Sequence, residues 1–403
     1  MTAVDFDDTP EEAEFRADAR AWLSANAQLR VTSDQRGISQ EAHVERCKQW
    51  QGTLFDQGWA GLTWPKEFGG RGIKHTLASI FSQEQGAYDV SSGVFTVGIG
   101  MVGPTLMVHG NDAQRERFLP PMLRGDEIWC QLFSEPGAGS DLASLGCRAV
   151  RDGDEWVING QKVWTSMGHF ADYGILLART DPDAPKHSGI TFFIVDMRTE
   201  GIDVRPLRQI TGIAHFNEVF LNGVRIPANN VVGEINEGWR VAHTTLTSER
   251  GAIGGSTLGP FFNDFLQLAR DRGADSDPVH RQGLASLYMR TELLRFLRLR
   301  VQSAMSRGEM PGAEASVMKL AYSRHWAQSA DLVETMLGAT GTLFDYHDEQ
   351  TGYWQRWFLG QWSVRLGGGT DEIQRNVMGE RVLGLPREPE VAKDIPWKDL
   401  PKG

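Results

Sequence analysis

Apolar side chains recur every three to four residues through residues 10–125 of the chain, which is the spacing of an amphipathic helix. The pattern is clear in FRADARAWLSANA (Phe15–Ala27) and again in EAHVERCKQWQGTLFDQG further along. Between helical runs lies GWAGLTWPKEFGGRG (Gly58–Gly72), a loop marked by Pro and Gly that carries two tryptophans. We therefore predict a helical domain over residues 1–126.

The pattern changes to that of strands after residue 126. ADYGILLART, GITFFIVDM and HFNEVFLNGVRIP alternate apolar and polar residues or are rich in β-branched ones, and Gly, Pro and Asn bound them. WVING (Trp156–Gly160) predicts a short strand that runs into an Asn-Gly turn, the strongest short hairpin signal. We predict a β-domain over residues 127–235, either a small barrel or a sandwich.

Helical spacing returns from residue 236. RGADSDP (Arg272–Pro278) is typical of a turn, and its Asp277-Pro278 pair predicts the start of the next helix. The predicted fold is thus mainly α with a central β-domain, the last helical domain covering residues 236–403. The helix-length runs in it are GWRVAHTTLTSER, FFNDFLQLARDRG, VHRQGLASLYMRTELLRFLRLRVQSAMSR, EASVMKLAYSRHWAQSADLVETMLGA and DEIQRNVMGERVLG.

Composition narrows the class of protein. The 403 residues include 41 Lys and Arg against 52 Asp and Glu, a net charge of −11, which disfavours nucleic-acid binding through a diffuse basic face. The Met1 end has no basic and apolar leader, and no run of about 18 apolar residues occurs, so we expect neither a secretory signal nor a membrane span. Three cysteines without CxxC spacing argue against a disulfide framework and a thiolate zinc site, and favour a cytoplasmic location.

Three glycine-bearing or aromatic motifs carry the chemical information: SEPGAGSD (Ser134–Asp141), VWTS (Val163–Ser166) and GGGTDEIQRN (Gly367–Asn376). Glycines let the backbone approach a ligand closely, and backbone N–H and serine hydroxyl groups can donate to phosphate or flavin atoms. Each motif alone is also typical of an ordinary turn or of a strand that packs into a core. Three of them, in this order on an α–β–α background, are far more specific.

With these motifs the chain resembles the acyl-CoA dehydrogenase family from about residue 10 to Arg387. The resemblance implies a helical N-domain, a β-barrel middle domain and a C-terminal four-helix bundle, with FAD between the last two at a subunit interface. It also implies that Ser140 lies near the CoA ester as well as the cofactor. The residues that it places around FAD are Phe133, Ser134, Gly139, Ser140, Trp164, Thr165, Ser166, Thr370 and Glu372.

The expected reaction removes a weakly acidic proton α to a thioester, a task suited to a desolvated carboxylate. The family places this glutamate at one of two positions. At the commoner one the chain has Gly367–Thr370, with Gly368 where the glutamate would stand. The other is a Glu-Arg pair on an earlier helix, matched here by Glu249 and Arg250. We predict Glu249 as the base and Arg250 as a CoA contact; a solvated pair on a helix surface is the alternative.

GAIGG (Gly251–Gly255) follows the predicted base. Each glycine in a helix costs about 1 kcal/mol of helix stability relative to Ala. Three glycines in five residues therefore indicate that the helix must leave space for another group. We hypothesise a pocket beside the base for a bulky acyl group, ring-bearing or branched.

Two stretches depart from the family pattern. ARDRGADSDP, with Arg270 and Arg272, replaces an Arg-x-x-Phe-Gly run, and Gly338–Gly341 is preceded by Thr335 where the family has Gln. Both positions serve a neighbouring subunit's FAD in the family. The departures are similar to the heteromeric bacterial acyl-CoA dehydrogenases of steroid side-chain degradation, in which two related chains share one active site. A homo-oligomer and a heterotetramer with a related subunit both stay open.

The leading functional prediction is an FAD-dependent acyl-CoA dehydrogenase. It would form a trans-2-enoyl-CoA and pass electrons to an electron-transfer flavoprotein. The alternatives are an acyl-CoA oxidase or flavin monooxygenase on the same fold, and a non-catalytic or half-site subunit. A nicotinamide enzyme is disfavoured, since no GxGxxG follows a strand within a βαβ unit.

Overall fold

The computed structural model describes residues 8–30, 39–255, 262–306, 313–345, 352–387, 389 and 394–401. Among these residues, five α-helices precede the first strand; short 3-10 turns and, at Gly98–Val102, one turn of π-helix lie between the later ones. Thr9 and Asn111 each form a capping box, with Glu12 and Gln114 respectively, which fixes where the first and fifth helices begin. The five helices are α1 (Pro10–Asn26), α2 (Gln40–Asp56), α3 (His75–Gln85), α4 (Gly103–His109) and α5 (Asp112–Arg124).

The two tryptophans of the Gly58–Gly72 loop fill the core of this helical part. Trp59 stacks on Trp22 of α1 and on Phe81 of α3, with ring centroids 5.3 and 4.8 Å apart. Trp64 is buried against α4, where a Cβ on Gly103 would overlap its indole. The loop is therefore part of the core and fixes the position of α4.

Seven strands form one sheet in the order β1-β4-β2-β3-β7-β6, and β5 pairs with β4. β4 runs parallel to β1 and, at one residue pair, to β2, while the other pairings are antiparallel. The strands are β1 (Trp129–Leu132), β2 (Arg148–Asp152), β3 (Glu155–Lys162), β4 (Tyr173–Arg179), β5 (Ile190–Asp196), β6 (Ile202–Leu207) and β7 (Phe216–Pro227).

Both faces of the central strands are buried. Ile175 and Leu177 of β4 pack into the cluster shared with the helices, whereas Leu176 and Ala178 face a second cluster inside the curled sheet. Because side chains alternate between faces along a strand, a strand covered on both sides must be apolar throughout. This accounts for the uninterrupted apolar run in ADYGILLART.

The predicted turn at Asn159-Gly160 is wrong: both residues lie inside β3, and the hairpin turn comes earlier, at Gly153. The Asn159 side chain accepts from the backbone N–H of Gly223 over 2.9 Å, at a β-bulge between β3 and β7. A Cβ on Gly160 would lie 2.8 Å from the Cα of Cys147. Close packing and a bulge, rather than a turn, therefore explain this Asn-Gly pair.

Helices follow the sheet. The predicted start at Asp277-Pro278 is confirmed, because the Asp277 carboxylate accepts from the N–H of Val279 over 2.7 Å as the helix begins. Among the described residues, no helix is long and apolar enough to cross a membrane. These helices are α6 (Gly238–Gly255), α7 (Phe262–Asp271), α8 (Pro278–Ser306), α9 (Ala313–Leu337), α10 (Tyr353–Leu366) and α11 (Asp371–Val377).

Candidate active site

The SEPGAGSD turn begins where β1 ends. Phe133 is buried, and the carbonyl of Ser134 accepts from the N–H of Val163 over 2.9 Å, so this turn and the VWTS segment are joined directly. A Cβ at Gly137 or Gly139 would meet no atom within 4 Å. The turn therefore presents open backbone to a ligand, as a phosphate-binding turn requires.

A buried ion pair holds the start of the SEPGAGSD turn next to the strand that leads into the VWTS segment. Lys162, the last residue of β3, is fully buried, and its ammonium donates to the carbonyl of Phe133 over 3.0 Å and to the carboxylate of Glu135 over 2.8 Å. Glu135 also accepts from the N–H groups of Gly146 and Cys147, at 2.7 and 2.9 Å. Every one of these bonds is charge-assisted, so the base of the turn is rigid.

The VWTS segment and Met167 after it are tied to the residues around the start of β7. The N–H of Thr165 donates to the carbonyl of Asn217 over 3.1 Å, and that of Met167 to His215 over 2.7 Å. Trp164 and Met167 both adopt left-handed backbone, at φ 62° and 56°. Trp164 is consequently turned outward and 60% exposed, a large aromatic surface that a planar ligand can cover.

The predicted base lies at the end of β1. The side-chain amide of Gln131 donates to the Glu249 carboxylate over 3.4 Å, and Glu249 is partly buried. Two contacts hold its helix, α6, against α4: Thr105 and Thr245 hydroxyls lie 2.9 Å apart, and the His109 ring lies 2.8 Å from the Thr244 hydroxyl. The fold thus brings the carboxylate of α6 next to the strand that leads into SEPGAGSD.

Some predicted positions fall outside the described side chains. The side chain of Arg250 and the surroundings of Gly251–Gly255 lie outside the described residues, although α6 itself extends through Gly255. The pocket predicted beside the base and the CoA contact of Arg250 therefore stay predictions.

The Gly367–Thr370 run forms a turn before α11. Gly368 and Gly369 both have left-handed backbone, at φ 63° and 84°, and the Thr370 hydroxyl caps the helix by accepting from the N–H of Ile373. Glu372, by contrast, is exposed and pairs with Arg375 over 2.8 Å. The contact of Glu372 with FAD stays a prediction.

A buried polar group lies directly beneath that turn. Asp371 is almost fully buried and accepts from the hydroxyl of Ser323 over 2.7 Å and from the ammonium of Lys319 over 3.3 Å. Burial lowers the pKa of Lys319, and the charge of Asp371 partly offsets that effect. This cluster fixes the start of α11 and with it the glycine turn.

Arg179 and Trp397, which no sequence prediction included, hold the residues that directly follow the SEPGAGSD turn. Arg179 is 2% exposed and donates to the carbonyls of Ala143 and Ser188, over 2.6 and 2.7 Å, while burial lowers its pKa to about 10. The Trp397 ring lies 5.0 Å from the Arg179 guanidinium and its N–H donates to Ser144 over 3.1 Å. Neither residue belongs to a motif, so no local signal could have found them.

The side chains and open backbone around β1 have the chemistry that suits a flavin. The open glycine turn follows β1, the Glu249 carboxylate contacts Gln131 of β1, and the exposed Trp164 indole follows β3; groups of these kinds suit a planar cofactor with a pyrophosphate. Across the part of the chain that the structure describes, no group of three or more His, Cys, Asp or Glu side chains could hold a metal ion.

Family models match almost the whole chain. The acyl-CoA dehydrogenase N-terminal domain matches residues 9–126, the middle domain residues 130–224 and the C-terminal domain residues 236–383.

Named relatives agree with these matches. The chain is 39% identical to the acyl-CoA dehydrogenase IpdE1 of Mycobacterium tuberculosis, over 93% of this chain and 98% of the relative. Among solved structures it is similar to the Tcur3481–Tcur3483 steroid ACAD, with 33% identity, a TM-score of 0.81, and coverage of 96% of this chain and 100% of that one. It is also similar to the ChsE4–ChsE5 complex from Mycobacterium tuberculosis, with 31% identity, a TM-score of 0.77, and coverage of 96% and 100%.

Proposed function

The chain belongs to the acyl-CoA dehydrogenase family, FAD-dependent oxidoreductases that act on acyl-CoA thioesters, and we propose that it forms a trans-2,3 double bond with Glu249 as the base. In this reaction Glu249 takes the proton from the α carbon. The FAD held by the residues named below would supply the hydride acceptor for the β hydrogen. The observation that carries the proposal is the contact between Gln131 and Glu249, because it puts the carboxylate beside the strand that leads into SEPGAGSD.

The position of Glu249 suits proton abstraction in three respects. Glu249 is partly buried, so its carboxylate is partly shielded from bulk water. The amide of Gln131 orients it from the sheet. The Thr105 and Thr245 hydroxyls hold α6 against α4 one helical turn before Glu249, which restricts the position of the carboxylate.

The residues proposed to hold FAD fall into two groups. Open backbone at Gly139 and the hydroxyl of Ser140 suit the pyrophosphate, and Ser140 also suits the CoA ester. Trp164 offers its ring to the isoalloxazine, while Ser166 offers a hydroxyl to its polar edge. Phe133, Ser134, Thr165, Thr370 and Glu372 complete the proposed cofactor set, and Arg250 is proposed to contact CoA.

We test the base with Glu249→Gln, which keeps the shape and removes the basic oxygen. FAD-loaded wild-type protein, mixed anaerobically with a saturated acyl-CoA, should lose its visible flavin absorption. The variant should bind FAD as before and bleach about 10²- to 10⁴-fold more slowly. Glu234→Gln, at an exposed glutamate before α6, is the matched control and should bleach at the wild-type rate. Bleaching of Glu249→Gln at the wild-type rate would exclude Glu249 as the base.

The proposed electron acceptor is an electron-transfer flavoprotein. After substrate has reduced the flavin, admission of air should restore the absorption slowly, and added electron-transfer flavoprotein should restore it quickly. Fast recovery in air alone would favour the oxidase or monooxygenase alternative.

The proposed substrate is a bulky acyl-CoA, ring-bearing or of the steroid side-chain type. Support comes from the solved relative described as a steroid ACAD, together with the glycine-rich end of α6 after Glu249. Gly254→Leu should lower kcat/KM for a ring-bearing acyl-CoA far more than for a straight-chain one. Equal effects on both substrates would exclude a pocket at that position.

The proposed assembly pairs this chain with a related subunit. Two of the similar solved structures carry paired chain names, Tcur3481–Tcur3483 and ChsE4–ChsE5. The sequence departures at Ala269–Pro278 and Thr335 concern positions that serve a neighbour's FAD in the family. A colourless chain that turns yellow only with a related partner and FAD would support the heteromer. A yellow, active chain expressed alone would establish a homomeric enzyme.

A further inference from the structure

Asn217 binds the backbone of the VWTS segment through two hydrogen bonds. It stands near the start of β7 and is fully buried. Its backbone carbonyl accepts from the N–H of Thr165 over 3.1 Å, and its side-chain Nδ2 donates to the carbonyl of the same residue over 2.9 Å. Both polar groups of the Thr165 backbone are thus bound to one residue on another strand.

The side-chain oxygen of Asn217 also has a hydrogen-bond partner. Since Nδ2 donates to Thr165, Oδ1 must accept, and the His169 Nδ1 atom lies 2.9 Å from it. His169 therefore carries its hydrogen on Nδ1, and its Nε2 atom lies 3.1 Å from the side chain of Gln40 at the start of α2. The carboxamide links the segment to the helical N-terminal part as well as to the sheet.

Gly168 packs closely against both Thr165 and Asn217. A Cβ on the buried Gly168 would come within 3.0 Å of the Thr165 side chain and 3.3 Å of Asn217 Nδ2. The segment between these contacts holds two non-glycine residues, Trp164 and Met167, in left-handed backbone. Such conformations persist only where the surroundings impose them.

We propose that Asn217 is the positioning residue of the flavin contact, in that its clamp on Thr165 sets where Trp164 and Ser166 meet the cofactor. Thr165 lies between those two residues, so a shift of its backbone moves both. The inference rests on the proposed function, in which Trp164 and Ser166 contact FAD. Asn217 itself touches neither cofactor nor substrate in this scheme.

The test compares Asn217→Asp with Asn230→Asp. The first keeps the size of the side chain and removes the donor to Thr165. The second removes a similar donor elsewhere in the same sheet region, since Asn230 Nδ2 donates to the carbonyl of Ile194 over 3.1 Å. Both variants are made in the full chain, with its partner subunit where one is required for FAD binding. Thermal unfolding confirms that each one folds.

At full FAD occupancy, Asn217→Asp should shift the visible flavin band and the flavin midpoint potential. It should also lower kcat by about 10- to 100-fold with little change in KM, because small displacements of contacting groups cost rates of this size. Asn230→Asp should change none of these. An Asn217→Asp protein with wild-type spectrum, potential and kcat would overturn the proposal.

Two further measurements separate this inference from the proposed function. Trp164→Phe reports on the flavin contact: if it leaves the flavin spectrum unchanged, the contact is wrong. If Trp164→Phe shifts the spectrum and Asn217→Asp does not, the positioning role is wrong. Amide hydrogen exchange over residues 163–168 needs no flavin. It should be at least 10-fold faster in Asn217→Asp and unchanged in β4 and β5, whereas unchanged exchange at residues 163–168 would also overturn the proposal.

Discussion

Removal of the buried ammonium at Lys162 should destabilise both the SEPGAGSD turn and the VWTS segment. Lys162 is fully buried, and its partner Glu135 keeps only 12% of its side-chain surface exposed. Removing one partner of a buried pair costs about 3–5 kcal/mol, because the remaining charge is left without compensation. Glu135 would retain its bonds to two backbone N–H groups, so we expect Lys162→Met to cost about 3 kcal/mol, at the lower end of that range.

A double-mutant cycle isolates the pair itself. Glu135→Gln alone leaves the ammonium buried and should cost a similar amount, about 3 kcal/mol. In the double variant neither charge remains, so its loss should be at least about 2 kcal/mol smaller than the sum of the single losses. Lys186→Met is the matched control. Its partner Asp141 is 57% exposed, so that surface pair should be worth less than about 1 kcal/mol.

The assay is denaturant unfolding of the four variants. Tryptophan fluorescence and the release of FAD monitor the transition. Lys162→Met and Glu135→Gln should each release FAD at lower denaturant than wild type, and the double variant should recover part of the difference. If the double variant loses as much as the two single variants together, to within about 0.5 kcal/mol, the two charges are not coupled and the reasoning is refuted.

Three other outcomes follow from the packing. Gly160→Ala should cost about 1–3 kcal/mol in thermal unfolding, since its Cβ would lie 2.8 Å from the Cα of Cys147; an unchanged melting temperature would contradict the close packing. Burial lowers the pKa of His325 from 6.5 to about 4, so the unfolded chain binds a proton that the folded chain does not. Stability should therefore fall as pH is lowered from 6.5 to 4, and His325→Gln should flatten that fall in denaturant unfolding. Thr105→Val keeps both branches of the side chain and should cost about 1 kcal/mol by removing the hydroxyl that lies 2.9 Å from that of Thr245; wild-type stability of this variant would show that the bond contributes nothing.

The sequence alone determined the order of helices, strands and helices, the family and the cofactor. These features depend on periodicity and on short motifs, which are properties of neighbouring residues. The helix start at Pro278 is one example, because an Asp cap followed by Pro acts within one turn. The domain limits at residues 126 and 235 stay a prediction.

The turn predicted at Asn159-Gly160 was wrong because segments distant in the sequence determine the conformation there. The Asn159-Gly160 pair is typical of a turn, yet the approach of Cys147 and a bulge against β7 keep it inside β3. The pattern of two residues could not reveal a neighbour twelve or more positions away.

Tertiary structure alone decided which side chains meet at the candidate site. Gln131 and Glu249 are 118 residues apart, Asn217 and Thr165 are 52 apart, and Trp397 and Ser144 are 253 apart. None of Gln131, Asn217 or Trp397 belongs to a recognised motif. A motif indicates the residues that contact a ligand. The groups that hold those residues in place come from segments far apart in the chain. Which groups these are is decided only when the folded chain packs those segments together.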